Sequence, residues 1–307
     1  MAERAQRLPS MLLRDTYQHE YRLVCGTNLA LYFGVEKQSD EYQPHEVHLR
    51  FKPRQPCQKR ERLMIKILAA VRRKPGMTHA EFLNYVEHTH GAIAKAKPLG
   101  VKRYVQNHVI DAAFGVDADS AYAQSFHKDS ITELFFEDVP GLIRTFSDPY
   151  TQQTVGPDAK NFADLSEQLA QLMDEVETAS TATAPLPWKV MILLKKNPAM
   201  ALDRFFDAWD AAHESITREQ PDFQNALRRY VRSRYLPEGD KVTAYFGPNI
   251  NVYEGASSLW FENEADFSTF RQYQRALFQK LAEDGVALTS ASFFAYVKEV
   301  VIFDHCS

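Results

Sequence analysis

Residues 65–90 recur at a constant offset of 123 residues as 188–213. Lys66 corresponds to Lys189, Pro75 to Pro198, Met77 to Met200, Phe82 to Phe205 and His90 to His213. A gap-free repeat of this length means that one supersecondary unit has been used twice. The chain is therefore expected to be two copies of a small domain. Both copies of the repeat end on a histidine, so the same position offers a titratable group twice.

The copies are expected over 64–177 and 188–307, separated at 178–187 by TASTATAPLP, a Thr/Ala/Pro linker with nothing to bury. Each copy reads strand, helix, strand, strand, helix, strand. In the first, IKILAAV is an apolar run suited to a strand buried on both faces. Thr78 and Glu81 form a capping box that opens a helix reaching about Lys95. KRYVQNHVI and ITELFFE read as strands, and VPGLIRTF begins the second helix with Pro140 in its first turn. The last strand falls within 165–177. In the second copy KVMILLK, ALRRYVRSRY, SSLWFE and FAYVKEVVIF are the strands, and 201–216 and 265–284 the helices. This is α+β: two tandem ferredoxin-like βαββαβ repeats. Helices cover one sheet face only. The other face is also apolar, and packing the two sheets against each other within one chain would bury it.

Composition narrows the function. A net charge of −4 leaves no basic footprint for nucleic acid. No apolar run approaches the roughly 18 residues of a membrane span, and the N-terminus lacks a signal-peptide core. Three cysteines without short spacing, Cys25, Cys57 and Cys306, argue against a disulfide scaffold or zinc site and for a reduced, cytoplasmic protein. Residues 1–63 lack periodicity and read as an upstream extension, disordered or a mis-called start, with Met64 as the natural beginning; a small docking segment is the alternative. There is no Gly-rich phosphate loop, GxSxG elbow, CxxC pair or HExxH, which argues against nucleotide chemistry, ordinary hydrolysis and a metal site.

Phe82, Val86 and His90 lie at i, i+4, i+8, as do Phe205, Trp209 and His213, so each histidine falls on the core-facing stripe. A histidine there serves as general acid or base, or else bonds a backbone carbonyl and fixes the turn. His88 falls on another face. Tyr104, Gln106 and His108 alternate onto one strand face, as do Tyr230, Arg232 and Arg234, in positions suited to lining a pocket or a domain seam. The arginines could hold a carboxylate or phenolate. Glu133 sits inside an apolar strand; it would either rise in pKa and couple to His90, or pair with Arg103 or Lys102. The loop over 111–128, and YFGPNINVY in the second copy, could cover a pocket mouth.

MIKILAAVRRKPGMTHAEFLNYVEHTHGAI, KRYVQNHVI and ITELFFED together resemble the EthD domain of the dimeric α+β barrel superfamily, and FFDAWDAAH, RRYVRSRY and YEGASSLWFE repeat the likeness. The resemblance covers roughly 64–165 and 188–305. It implies an internal barrel with a pocket between sheet and helices. Members are associated with ether catabolism and aromatic polyketide tailoring; relatives decarboxylate, dehydrate, oxygenate without a cofactor or bind haem. The family's acidic–Gly pair is Glu254-Gly255 in the second copy but Asp129-Ser130 in the first, and the strand glutamate Glu133 is replaced by Ser258. The pattern Asp158, Phe162, Asp164 loses its final acid to Tyr296. The two pockets should thus be unequal. The expectation is a cofactor-independent lyase, decarboxylating or dehydrating a small hydrophobic aromatic or polycyclic substrate. His90, Tyr104, Glu133 and His213 would be catalytic; Gln106, His108, Trp209, Tyr230 and Arg232 would bind substrate. The alternatives are an oxygenase, cofactor-free or haem-dependent, and a non-catalytic binding protein. No nucleic-acid or membrane partner is expected; further pairing into a homodimer stays open.

Overall fold

The eight strands among the described residues have sixteen edges to satisfy, and they satisfy them by closing into a barrel. The computed structural model describes residues 64–114, 128–167, 169–182, 185–246 and 252–306. The extension expected over 1–63 lies outside the described residues, as do 115–127 of the expected mouth loop and 247–251 of its counterpart. The strands are β1 (Ile65–Val71), β2 (Val101–Phe114), β3 (Ser130–Phe136), β4 (Leu169–Ser180), β5 (Trp188–Leu194), β6 (Arg229–Tyr235), β7 (Gly255–Phe261) and β8 (Phe293–Asp304). Their hydrogen-bonded order is β1-β3-β2-β8-β5-β7-β6-β4, closed and antiparallel throughout. Read by halves, the order is β4-β1-β3-β2 and then β8-β5-β7-β6. The sheets do more than face each other: ladders between β2 and β8 and between β4 and β6 join them at two seams.

Those seams account for two departures from expectation. β4 runs on through Ser180, so the start of the expected linker is strand; Ala179 pairs with Tyr230 and Ser180 with Arg229. β2 extends to Phe114 because β8 offers a partner as far as Phe293. An edge strand would have stopped sooner.

Helix α1 joins β1 to β2. It runs continuously through His79–Asn84, a π-helical turn Tyr85–His90 and Gly91–Ala96. The expected capping box is formed: Thr78 accepts from the Glu81 backbone N–H, and the Glu81 carboxylate accepts from that of Thr78. Helix α2 (Val139–Ser147) is capped by Asp138 with Pro140 in its first turn. In the second half, α3 (Leu202–Glu219) and α4 (Phe267–Glu283) are regular α-helices. No helix among the described residues is long and apolar enough to cross a membrane.

Helices α1 to α4 pack on the outer faces of the strands, so residues on both faces of most strands are buried. The inner face gathers Leu68, Ile131 and Met173 from one half and Met191, Ala256 and Phe293 from the other into one apolar cluster. One end of that interior is charged. Lys66 Nζ donates to Glu133 at 2.6 Å and Glu175 at 2.5 Å; Lys189 Nζ donates to Glu133 at 3.0 Å and Glu299 at 2.8 Å. Asn107 adds a donor to Glu133 at 2.9 Å. The repeated lysines thus meet on a single carboxylate, which ties the halves together. Burial works to raise the Glu133 carboxyl, but the Lys189 and Lys66 ammonium groups outweigh it and hold it well below the usual carboxylate range.

Candidate active site

The first half contains a cavity of about 690 Å³ between the outer face of β1 and β3, helices α1 and α2, and the helical turns that follow α2. Its walls are mainly apolar, with Phe82, Phe146, Phe162 and Phe303 among them. Polar side chains reach those walls too, Thr132, Thr145, Gln152 and Tyr245 among them, and the two with acid–base chemistry near the middle of the first half are His90 from α1 and Tyr104 from β2.

His90 is the last residue of the π-helical turn, one turn beyond Val86 and two beyond Phe82. The wider turn sends the Gly91 N–H, rather than that of His90, to the Val86 carbonyl. π turns of this kind concentrate at functional sites. A second one, Thr151–Val155, leads directly into Gly156–Asp158 and delivers Asp158 opposite His90. Asp158 Oδ2 lies 2.9 Å from His90 Nδ1, and its other oxygen accepts from Tyr85 Oη at 2.8 Å and Asn161 Nδ2 at 2.8 Å. Burial pushes the Asp158 carboxyl up, but these bonds outweigh it and keep it below its ordinary value. An ionised Asp158 requires the proton of neutral His90 to sit on Nδ1, which leaves the Nε2 lone pair for the cavity. Burial pushes the imidazole down, and the Asp158 bond and charge only partly oppose it. His90 is therefore neutral near pH 7, oriented and basic at Nε2. The Phe162 ring, centred 4.7 Å away, holds it from the side.

Tyr104 reaches the cavity from β2 and is 3% exposed. Burial pushes its phenol up to about 12. Gln106 Nε2 donates to its hydroxyl at 2.8 Å, so the phenol keeps its own proton to give. Cavity-facing base and cavity-facing donor are the parts needed to remove a proton beside a carbonyl and steady the resulting oxyanion.

In the second half the corresponding space is filled. His213 Nδ1 lies 2.7 Å from Tyr273 Oη, and its ring stacks on Tyr230 at 4.0 Å. Burial alone drops its pKa to about 4. Trp209 stands where the first half has Val86, and it is fully buried against Phe205 and Gly255. α3 contains no π turn. Among the described residues, no group of three or more His, Cys, Asp or Glu is placed to hold a metal ion.

Residues 74–166 match the EthD domain family. The chain carries an EthD domain. Dehydratase ustZ from Ustilaginoidea virens is 26% identical over 97 residues, which are 30% of this chain and 69% of the relative. Similar solved structures include an anthrone oxidase-like protein (9% identity, 80% of this chain and 97% of the other, TM-score 0.49). A haem-binding protein from Thermus thermophilus is another (10% identity, 76% and 91%, TM-score 0.41).

Within the EthD domain, Tyr85, Asp158 and Asn161 complete the site around His90. Only Asp158 had a sequence signal, the Asp158, Phe162, Asp164 pattern, and its role as partner to the histidine was not legible in it. Of the residues expected at the site, His90 and Tyr104 line the cavity together. Glu133 does not join them. It projects into the barrel, behind the sheet from Thr132 and Leu134, with Lys66 and Lys189 rather than Arg103 or Lys102, and its pKa falls rather than rises. Gln106 and His108 share the Tyr104 face but stand behind it. Gln106 also donates to the Val86 carbonyl at 2.7 Å, and its own carbonyl lies 3.0 Å from His108 Nε2. They brace Tyr104 instead of lining the cavity. Trp209 and Tyr230 are packed in the second-half core, and Arg232 and Arg234 are both paired with Asp210. Arg232 is thereby neutralised within the protein.

Proposed function

We propose that the first-half cavity is the active site of a lyase that dehydrates a hydrophobic aromatic small molecule by proton transfer. The observation that carries this is the Asp158–His90 pair on the wall of a 690 Å³ aromatic-lined cavity, a pairing that would leave Nε2 as the base. The relative named a dehydratase supports the choice of elimination over other proton-transfer chemistry. We further read 64–177 and 188–307 as tandem ferredoxin-like copies in which the first kept a pocket and the second became packed.

The substrate class is an aryl ketone with a β-hydroxyl group. His90 Nε2 takes the proton α to the ketone while the Tyr104 hydroxyl hydrogen-bonds the ketone oxygen as negative charge develops there. The β C–O bond then breaks, and the imidazolium returns the proton to the departing hydroxide. Water and an α,β-unsaturated ketone leave, and the atoms balance without an oxidant or reductant. Asp158 stabilises the imidazolium and fixes its tautomer, the role an orienting carboxylate plays in other dyads.

A suitable probe is 3-hydroxy-1-tetralone, whose dehydration gives fluorescent 1-naphthol. His90→Ala is expected to lose roughly 10²–10⁴-fold in kcat while binding 1-naphthol as the parent does. Wild-type turnover by His90→Ala would overturn the assignment.

A further inference from the structure

The first-half cavity is not closed by first-half residues alone. Tyr245 and Phe246, from the second half, form part of its wall. Both rings pack on Phe146, with centroids 5.1 and 5.2 Å away, and on each other at 5.4 Å. The segment leading to them is anchored to the first half as it leaves β6. Leu236 N–H donates to the Leu172 carbonyl at 2.9 Å, and Gly239 passes so close to Leu172 that a side chain there would overlap it. Leu236 and Phe246 pack against the cluster that contains Phe136, Phe146 and Leu172. Tyr235 Oη, donating to Asp240 at 2.6 Å, steadies the bend. At its far end Tyr245 Oη donates to the Thr151 carbonyl at 3.0 Å, within the π turn that delivers Asp158.

Gly156 makes this contact possible. It is helical, with φ −62° and ψ −51°, a conformation any residue adopts, so its backbone does not require glycine. Space does: a methyl group there would overlap the Tyr245 hydroxyl. Because the overlapped atom is the tip of a half-exposed side chain, the ring would swing away and the helix would stay.

We infer that the Tyr245–Phe246 segment of the second half is the ligand-positioning wall of the first-half site, so that the packed copy supplies specificity to the copy that does the chemistry. The inference rests on the cavity being the ligand site. It identifies the bound group as a planar ring held edge or face against Phe146, Tyr245 and Phe246.

The test is a double-mutant cycle on the full chain, read by fluorescence titration with 1-naphthol. Tyr245→Ala is expected to weaken binding about fivefold to tenfold, the size of one lost aromatic contact. Gly156→Ala should do the same by displacing that ring, with an unchanged or higher melting temperature, since alanine is the better helix former. The double variant should be no weaker than either single one, because both act through one contact. Additive losses, or a Gly156→Ala protein that binds like wild type, would overturn the wall. So would a wild-type chain that does not bind 1-naphthol, an outcome that also removes the proposed site. Coupled losses in a chain that never dehydrates the tetralone would sink the lyase reading and leave the wall standing. His90-dependent turnover without coupling would do the reverse.

Discussion

Replacing Glu133 with Gln removes one charge from the barrel interior and almost no volume. Glu133 is 3% exposed, and the two ammonium groups that share it, Lys66 and Lys189, are 1% and 2% exposed. Breaking a buried ion pair by deleting one partner costs about 3–5 kcal/mol, because the remaining charge stays desolvated. Here each lysine keeps one carboxylate, Glu175 at 2.5 Å or Glu299 at 2.8 Å, so the lower end of that range applies. For a unit of this size, about 3 kcal/mol lowers Tm by roughly 6–12 °C. The Glu133 pKa is depressed in the fold, so its contribution is complete above the unfolded carboxyl's value of ~4.3 and is lost as pH falls toward the folded value. The gap between wild type and variant should therefore hold from pH 8 to 5 and narrow only in stronger acid. Thermal unfolding followed by circular dichroism measures it, with 1-naphthol titration alongside. A variant that melts within 2 °C of wild type would refute the bridge. A variant that melts normally but no longer binds the ligand would return Glu133 to the site.

Three further outcomes follow from the same geometry. With His90 depressed below its ordinary 6.5, tetralone turnover should stay level above pH 6.5 and fall only below it; Asp158→Asn should lower the plateau by roughly 10²-fold or more. His213, at about 4 in the fold, contributes nothing while both states are neutral above pH 6.5. Below that the unfolded chain takes a proton the folded site refuses, so stability should fall by about 3 kcal/mol between pH 6.5 and 4; His213→Phe should flatten that slope in urea titrations. Val86→Trp, copying Trp209, should fill the cavity and weaken 1-naphthol at least about tenfold, or about 1.4 kcal/mol, and unchanged affinity would place the ligand elsewhere.

Much of the fold was legible because it is written in periods. The alternating strands and the Thr78–Glu81 box each reflect local rules that the tertiary structure does not override. Facing was legible only within a strand. Alternation separates Glu133 from Thr132 and Leu134, but in a barrel with helices outside both faces are buried, so it cannot say which one meets His90. The lysines that neutralise Glu133 lie in β1, laddered to its own strand, and in β5, reached across the barrel interior, and no local pattern links either to Glu133. Asp158 was invisible as a partner for a different reason. Its approach depends on two π turns, Tyr85–His90 and Thr151–Val155, and residue propensities carry no signal for an extra residue in a turn. Trp209 had the spacing of a site residue; only the absence of space around it, against Gly255 and Phe205, shows it to be filling. Tyr245 belongs to the second half by sequence and to the first-half cavity by contact, a crossover fixed by the β4–β6 seam.

The proposed mechanism requires His90 to present a bare Nε2 to the cavity because Asp158 holds the proton on Nδ1. Long-range ¹H–¹⁵N spectra of histidine-labelled protein at pH 7 read this directly, with the signal assigned by its loss in His90→Ala. The expected result is a protonated Nδ1, an unprotonated Nε2, and a shift of the Nε2 resonance when 1-naphthol is added. An Nε2–H tautomer, or an Nε2 signal indifferent to ligand, would contradict it.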